Sequence, residues 1–264
     1  MAEPSRPATG TVRLGMLTPS SNTVLEPTTV ALLAGAPEGL RDVSLHVSRF
    51  RVTEIGLSDA ALGQFDESGM LRAAELLADA RADVIAWNGT SASWLGFERD
   101  ERLCERITAA TGIPACTTVL AYREIFLRTG ATRIGLVTPY VPEVQARIRA
   151  NWGRAGFSCS IERHLNKRDN FSFAEVATET VACLVREVAH EGCDAVAIVC
   201  TNMRGALAAA ELEAELGLPV YDSVAVTLWK CLEMAGLDPR RWQHLGRVFV
   251  VPPARTGAVP SRGH

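Results

Sequence analysis

The sequence predicts an α/β protein of two pseudo-symmetric lobes, each with a parallel sheet, and an active-site cleft between them. Three observations point there. Short apolar strands alternate with helical patterns, as in parallel sheets joined by right-handed crossovers. The second half also repeats the first. Arg13-Leu14-Gly15-Met16-Leu17-Thr18-Pro19 returns as Arg133-Ile134-Gly135-Leu136-Val137-Thr138-Pro139, an offset of 120. Ala82 to Thr90 returns as Cys193 to Thr201 at 111, and Thr111-Gly112-Ile113-Pro114 returns as Leu216-Gly217-Leu218-Pro219 at 105. Matches that keep their order while the offset falls are what an internal duplication with small deletions leaves behind. Length is the third observation: 264 residues suffice for two lobes that each bury a core.

In chain order, residues 1–11 read as a flexible leader and 252–264 as a flexible tail, both too rich in Pro, Gly and Ser to bury a face. The first lobe is expected over 12–120, with room for the end of the chain to return to it, and the second over 121–251. Thr11 to Leu17 is a short apolar strand leading into Thr18-Pro19-Ser20-Ser21-Asn22 and a helix from Val24. Val43 to Val47 alternates as a second strand. Met70, Leu71, Ala74 and Leu77 recur at helical spacing, which predicts a helix over Met70 to Arg81. Ala82 to Trp87 is a strand that turns through Asn88-Gly89-Thr90-Ser91. Glu101 to Thr111 is helical and stops at Gly112; Pro114 to Thr117 is a short strand before another helix. In the second half, Asp194 to Asn202 reads as a buried strand ending on Cys200-Thr201-Asn202.

Composition excludes several classes. Hydrophobic residues make 47% and charged residues 22% of the chain, with a net charge of −3, so there is no basic footprint for nucleic acid or an anionic membrane. No apolar run reaches the ~18 residues of a membrane helix. The seven cysteines include no Cys-x-x-Cys, none of the five histidines pairs with a cysteine at ligand spacing, and no apolar signal core opens the chain. These features predict free thiols in a reducing cytoplasm, with no metal. Gly-x-Gly-x-x-Gly and Walker motifs are absent, and Gly89-Thr90-Ser91-Ala92-Ser93 lacks the closing glycine of a hydrolase elbow.

Ligands of open α/β sheets bind at the carboxyl ends of strands. Two facing lobes would therefore each contribute a Thr-Pro loop (Thr18-Pro19-Ser20 and Thr138-Pro139-Tyr140) and a strand-end loop (Gly89-Thr90-Ser91 and Cys200-Thr201-Asn202). In the repeat, Gly89 is the counterpart of Cys200, so the thiol has no twin. Cys200 is the candidate catalytic residue. Thr90, Ser91, Thr201 and Asn202 also suit helix capping, a role compatible with carboxylate binding at helix N-termini. Cys116 is the one other thiol expected near the cleft, and Trp87, Trp94 and His46 are expected to be core or cavity wall.

These residues resemble the aspartate/glutamate racemase superfamily, and within it the maleate cis-trans isomerases and arylmalonate decarboxylases, over residues 12 to 250. Pro19-Ser20-Ser21-Asn22 looks like the isomerase first loop, which implies substrate contacts from Ser20 and Asn22. Thr138-Pro139-Tyr140 is similar to the second-lobe loop whose tyrosine bonds a substrate carboxylate. Asp169-Asn170 looks like the isomerase segment that adds a polar contact, from Asn170. Cys200 falls on the second-lobe catalytic cysteine. The departure is Gly89, where racemases and isomerases carry a second thiol and the decarboxylase carries a glycine within Gly-Thr-Ser.

The resemblance implies a cofactor-independent lyase. Cys200 would protonate the enediolate left by decarboxylation of a malonate-like acid, while Ser20, Asn22, Gly89, Thr90, Ser91, Tyr140, Asn170, Thr201 and Asn202 hold the substrate. A glycine opposite the thiol is expected to leave space for a bulky substituent. Two alternatives stay open: an isomerase or racemase of a small dicarboxylate or amino acid, and a non-catalytic carboxylate-binding protein. The expected partner is a small carboxylate, and the chain is compatible with a homo-oligomer.

Overall fold

The computed structural model describes residues 11–36 and 43–253. Except for Thr11, Pro252 and Pro253, the predicted leader and tail lie outside the described residues. Eight strands form two four-stranded parallel sheets. The first contains β1 (Val12–Pro19), β2 (Val43–Phe50), β3 (Val84–Trp87) and β4 (Ala115–Thr117) in the order β2-β1-β3-β4. The second contains β5 (Ile134–Thr138), β6 (Glu162–His164), β7 (Ala195–Ile198) and β8 (Val220–Asp222) in the order β6-β5-β7-β8. The central strands β3 and β7 are buried throughout. That burial is why both read as unbroken apolar runs rather than alternations.

The duplication holds at the level of single hydrogen bonds. The Arg13 amide donates to Asp83 Oδ2 at 2.7 Å, and the Arg133 amide donates to Asp194 Oδ2 at 2.8 Å. The Asn88 amide meets the Leu17 carbonyl at 3.1 Å, as the Val199 amide meets that of Val137 at 2.8 Å. Each pair is related by the offsets read from the sequence.

Some boundaries differ from expectation for local reasons. The helix predicted from Met70 begins at Glu67, because the Asp66 carboxylate caps it by accepting the Ser68 amide. The helix predicted from Glu101 begins at Phe97, directly after Gly96, whose φ of +105° no preceding turn could continue. Strand β2 runs on to Phe50, three residues past its predicted end. Strand β7 stops at Ile198, so Cys200 lies two residues beyond it, in the loop.

The last helix of each half crosses to the other half. The helix Thr118–Thr129 follows β4, yet Tyr122 and Phe126 stack on Trp152 with ring centroids 5.6 and 5.5 Å apart, and Phe126 also meets Phe157 at 5.2 Å. The helix Ser223–Met234 follows β8 and packs on β3, β4 and the helix Leu25–Ala34. The two crossing helices meet through paired contacts. Thr118 Oγ1 lies 2.7 Å from Thr227 Oγ1, and its image under the repeat is Tyr122 with Ser223, 3.2 Å apart. No helix among the described residues is long and apolar enough to cross a membrane.

Candidate active site

The carboxyl ends of β1, β3, β5 and β7 bring most of the expected residues together. Tyr140 follows β5, and its ring is held edge-on between Trp94 (5.2 Å) and Phe173 (5.6 Å). Its hydroxyl lies 2.6 Å from Thr90 Oγ1, beyond β3. On the other side, Asn22 Nδ2, beyond β1, donates to Thr201 Oγ1 at 3.1 Å. Each strand-end threonine is thus bonded to the loop of the opposite half, an arrangement that follows from the pseudo-twofold.

Asn202 ties the two halves more widely. Its Oδ1 accepts the amides of Thr23 (3.0 Å) and Val24 (3.2 Å), and its Nδ2 donates to the Asn170 carbonyl at 2.6 Å. The Asn202 amide donates to Cys200 Sγ at 3.3 Å. Asn170 Nδ2 in turn donates to Ser21 Oγ at 2.7 Å. Ser91 is buried at the head of the short helix Ala92–Leu95 and makes no side-chain cap.

Burial pushes the Cys200 thiol up to about 12, against the opposite pull of the Asn202 amide and the Tyr140 hydroxyl. At neutral pH the group is therefore a thiol, able to give a proton, and not a thiolate poised to attack. Desolvation likewise pushes Tyr140 well above its usual range. Both hydroxyl and thiol stay protonated.

The site is closed. Asn22, Thr90, Ser91, Tyr140, Asn170, Cys200, Thr201 and Asn202 are each no more than 5% exposed. Over them, the segment after β2 and the segment after β6 pair as an antiparallel bridge, Glu54 opposite Asp169. The Ile55 amide donates to the Arg168 carbonyl at 2.9 Å, and the Asn170 amide donates to that of Thr53 at 2.9 Å. The bridge joins equivalent points of the two halves.

Three expectations require correction. Ser20 is exposed and does not join the cluster; its Oγ accepts the Val52 amide at 3.2 Å. By the repeat Ser20 is the partner of Tyr140, but a serine is too short to cross the cleft, and Asn22 reaches across instead. Cys116 faces Cys231, with sulfurs 3.9 Å apart, and not the cleft, because its side chain points toward the crossing helix Ser223–Met234. Gly89 does not leave open space. A Cβ placed on it would lie 2.2 Å from Trp87 Cζ2 and 2.3 Å from Cη2. Trp87 and Trp94 are buried, Trp94 against Tyr140 and Trp87 against Phe50.

Sequence reasoning missed Ser21, although it stands inside the quoted loop, one residue from each expected contact. It also missed the Glu54–Asp169 bridge, which no motif marks.

Comparison with known proteins finds relatives of this fold. The model of the arylmalonate decarboxylase family matches residues 45–249. A maleate isomerase of Pseudomonas putida is 28% identical over 236 residues, covering 86% of this chain and 93% of that protein. An arylmalonate decarboxylase of Bordetella bronchiseptica is 27% identical over 171 residues, covering 64% and 71%. Among solved structures, a maleate isomerase from Pseudomonas putida S16, determined with maleate, superposes with a TM-score of 0.82 at 25% identity, covering 91% of this chain and 98% of the other.

Proposed function

The chain belongs to the arylmalonate decarboxylase family, within the aspartate/glutamate racemase superfamily, and from that premise we propose that it is a cofactor-independent lyase which decarboxylates a malonate-type acid. The observation that carries this reading is the asymmetry of the cleft. One half offers a buried thiol held in its protonated form, and the other offers Gly89 with no titratable side chain.

The chemistry follows from that asymmetry. The bond between the α-carbon and one carboxylate breaks, its electron pair passes to the remaining carboxylate as an enediolate, and neutral carbon dioxide leaves. A dry site favours this step, because the departing group loses its charge. The developing oxyanion needs donors already in place. Thr90 and Tyr140 carry two hydroxyl hydrogens and use one between them; a carboxylate oxygen competes with Cys200 for the other. Ser91, Asn170, Thr201 and Asn202 complete the rim, with Asn22 holding Thr201. Cys200 then gives its proton to one face of the α-carbon and regains one from solvent.

A second reading, isomerisation of a small dicarboxylate such as maleate, is favoured by one specific observation: the maleate isomerase alignment spans 86% of the chain and the decarboxylase alignment 64%. Incubating the protein with phenylmalonate, methylphenylmalonate and maleate separates the two. The lyase reading expects carbon dioxide from the malonates, one deuterium per product in D2O, and loss of turnover in Cys200→Ala. Fumarate from maleate without carbon dioxide from either malonate would replace it with the isomerase reading. Full activity in Cys200→Ala would remove Cys200 from the mechanism.

A further inference from the structure

Trp87 ends β3, two residues before Gly89, and is buried against Phe50 with ring centroids 5.1 Å apart. Its Cζ2, Cη2 and Cε2 atoms would lie 2.2, 2.3 and 2.6 Å from a Cβ on Gly89. Those distances are shorter than any contact a real side chain makes, so this edge of the indole fills the direction in which residue 89 would project. Gly89 is the counterpart of Cys200 in the repeat, so that direction is the one a first-half side chain at the position matching the thiol would take. The indole nitrogen is bonded to Cε2, on the same edge, and has no hydrogen-bond partner. Trp94, Trp152 and Trp242 also bury indole N–H groups without a partner, so the position of this edge against Gly89 is what sets Trp87 apart.

We propose that Trp87 is the residue that determines one-sided chemistry in this cleft. Its indole takes the place of a first-half side chain and gives the substrate an apolar wall edged by one N–H donor. This closes the face opposite Cys200 to proton transfer. The glycine is then a consequence of the tryptophan: with Trp87 in this position, nothing larger fits at residue 89. The inference rests on the reading of Cys200 as the proton donor, and it makes Trp87 a specificity-determining residue that takes no proton itself.

The test is a double-mutant cycle of Gly89→Cys in the parent and in Trp87→Leu, with Trp87→Phe as a second background of intermediate size. In the parent, Gly89→Cys is expected to lower Tm by roughly 5 °C or more, as overpacking a filled site does. In Trp87→Leu the same change is expected to shift Tm by less than about 2 °C. Failure of Gly89→Cys to fold in the parent, with recovery in Trp87→Leu, is the same coupling in stronger form. The second readout is optical purity of enantiopure 2-phenylpropionate in D2O. The parent and each single variant are expected to preserve it, and only Trp87→Leu/Gly89→Cys is expected to erode it, because only there can an introduced thiol face Cys200.

Additive Tm changes would overturn the proposal. Coupled Tm changes with optical purity preserved in the double variant would overturn it too, since Trp87 would then be packing alone. Carbon dioxide release by the parent is scored separately. Its absence would refute the lyase reading while leaving the Tm coupling to be judged by itself.

Discussion

Replacing Asn202 with alanine tests how the two halves are held over the site. The side chain is buried and makes three bonds: Oδ1 to the Thr23 and Val24 amides, and Nδ2 to the Asn170 carbonyl. These bonds do not count equally. The Val24 amide keeps a partner, because Asn22 Oδ1 also accepts it, at 3.0 Å. Thr23 is exposed, so water can replace the bond to its amide. The Asn170 carbonyl has neither remedy, and a buried acceptor stripped of its donor costs about 1–3 kcal/mol. The hole left by the amide adds to this, since buried truncations are charged for the cavity as well as for the lost contact. The expected loss is therefore about 2–4 kcal/mol, measured by urea unfolding and followed through the five tryptophans with an unchanged m-value. A loss under about 0.5 kcal/mol, the size of an ordinary surface substitution, would refute the reasoning. Asn202→Asp sharpens the test by placing a carboxyl oxygen against the Asn170 carbonyl, where only the protonated form can donate. That variant should lose stability as pH rises through the carboxylate range and regain it on acidification. The alanine variant should show no such slope.

Three further outcomes follow from the same structure. Because burial pushes Cys200 up to about 12, iodoacetamide at pH 8 should label exposed Cys183 and spare Cys200, and the alkaline fall of kcat/KM should lie above pH 10; peptide mass mapping that finds both thiols labelled at equal rates would contradict this. Burial also pushes Asp100 up to about 7 despite its bond to Thr117. Its contribution to stability is thus present below pH 4 and lost as pH rises through 7, so Asp100→Asn should gain on the parent across that window in paired unfolding curves. Tyr122→Phe removes a hydroxyl within reach of the Ile198 and Tyr221 carbonyls at 2.8 and 3.0 Å. One hydrogen serves only one carbonyl at a time, and Ser223 Oγ already donates to Ile198 at 2.9 Å, so the loss should be about 1–2 kcal/mol in the same assay.

The two parallel sheets were legible, though not the order of their strands, because β3 and β7, and the ends of β1 and β5, repeat almost residue for residue. A parallel strand buried on both faces has few residue types to choose from. Cys200, Thr90, Tyr140, Thr201 and Asn202 were legible because strand ends in such a sheet are where ligands sit, and the repeat paired them. Reach was not legible. The pairing of Ser20 with Tyr140 is correct in the alignment, but only a longer side chain two residues on spans the gap. Nor does a glycine in a sequence reveal what lies against it: the indole over Gly89 comes from a residue that, read alone, is ordinary core. The Glu54–Asp169 bridge is backbone pairing between segments 115 residues apart, and backbone pairing at that separation has no compositional trace.

The exchanged helices carry a consequence for how this chain can be divided. Between the helix Thr118–Thr129 and β5 lies a short exposed joint at Gly130, whose φ of +74° ends the helix. A cut there separates the repeats in sequence but not in space. The N-terminal piece takes away Tyr122 and Phe126, the aromatic plug of the other sheet, and the C-terminal piece takes away the helix that roofs β3 and β4. Each piece lacks a helix that its own sheet packs against, and each holds what the other lacks. Nicked at residue 130, the protein should elute as one particle and fall apart only when unfolded, behaving as a domain-swapped dimer whose two subunits happen to be written in one gene.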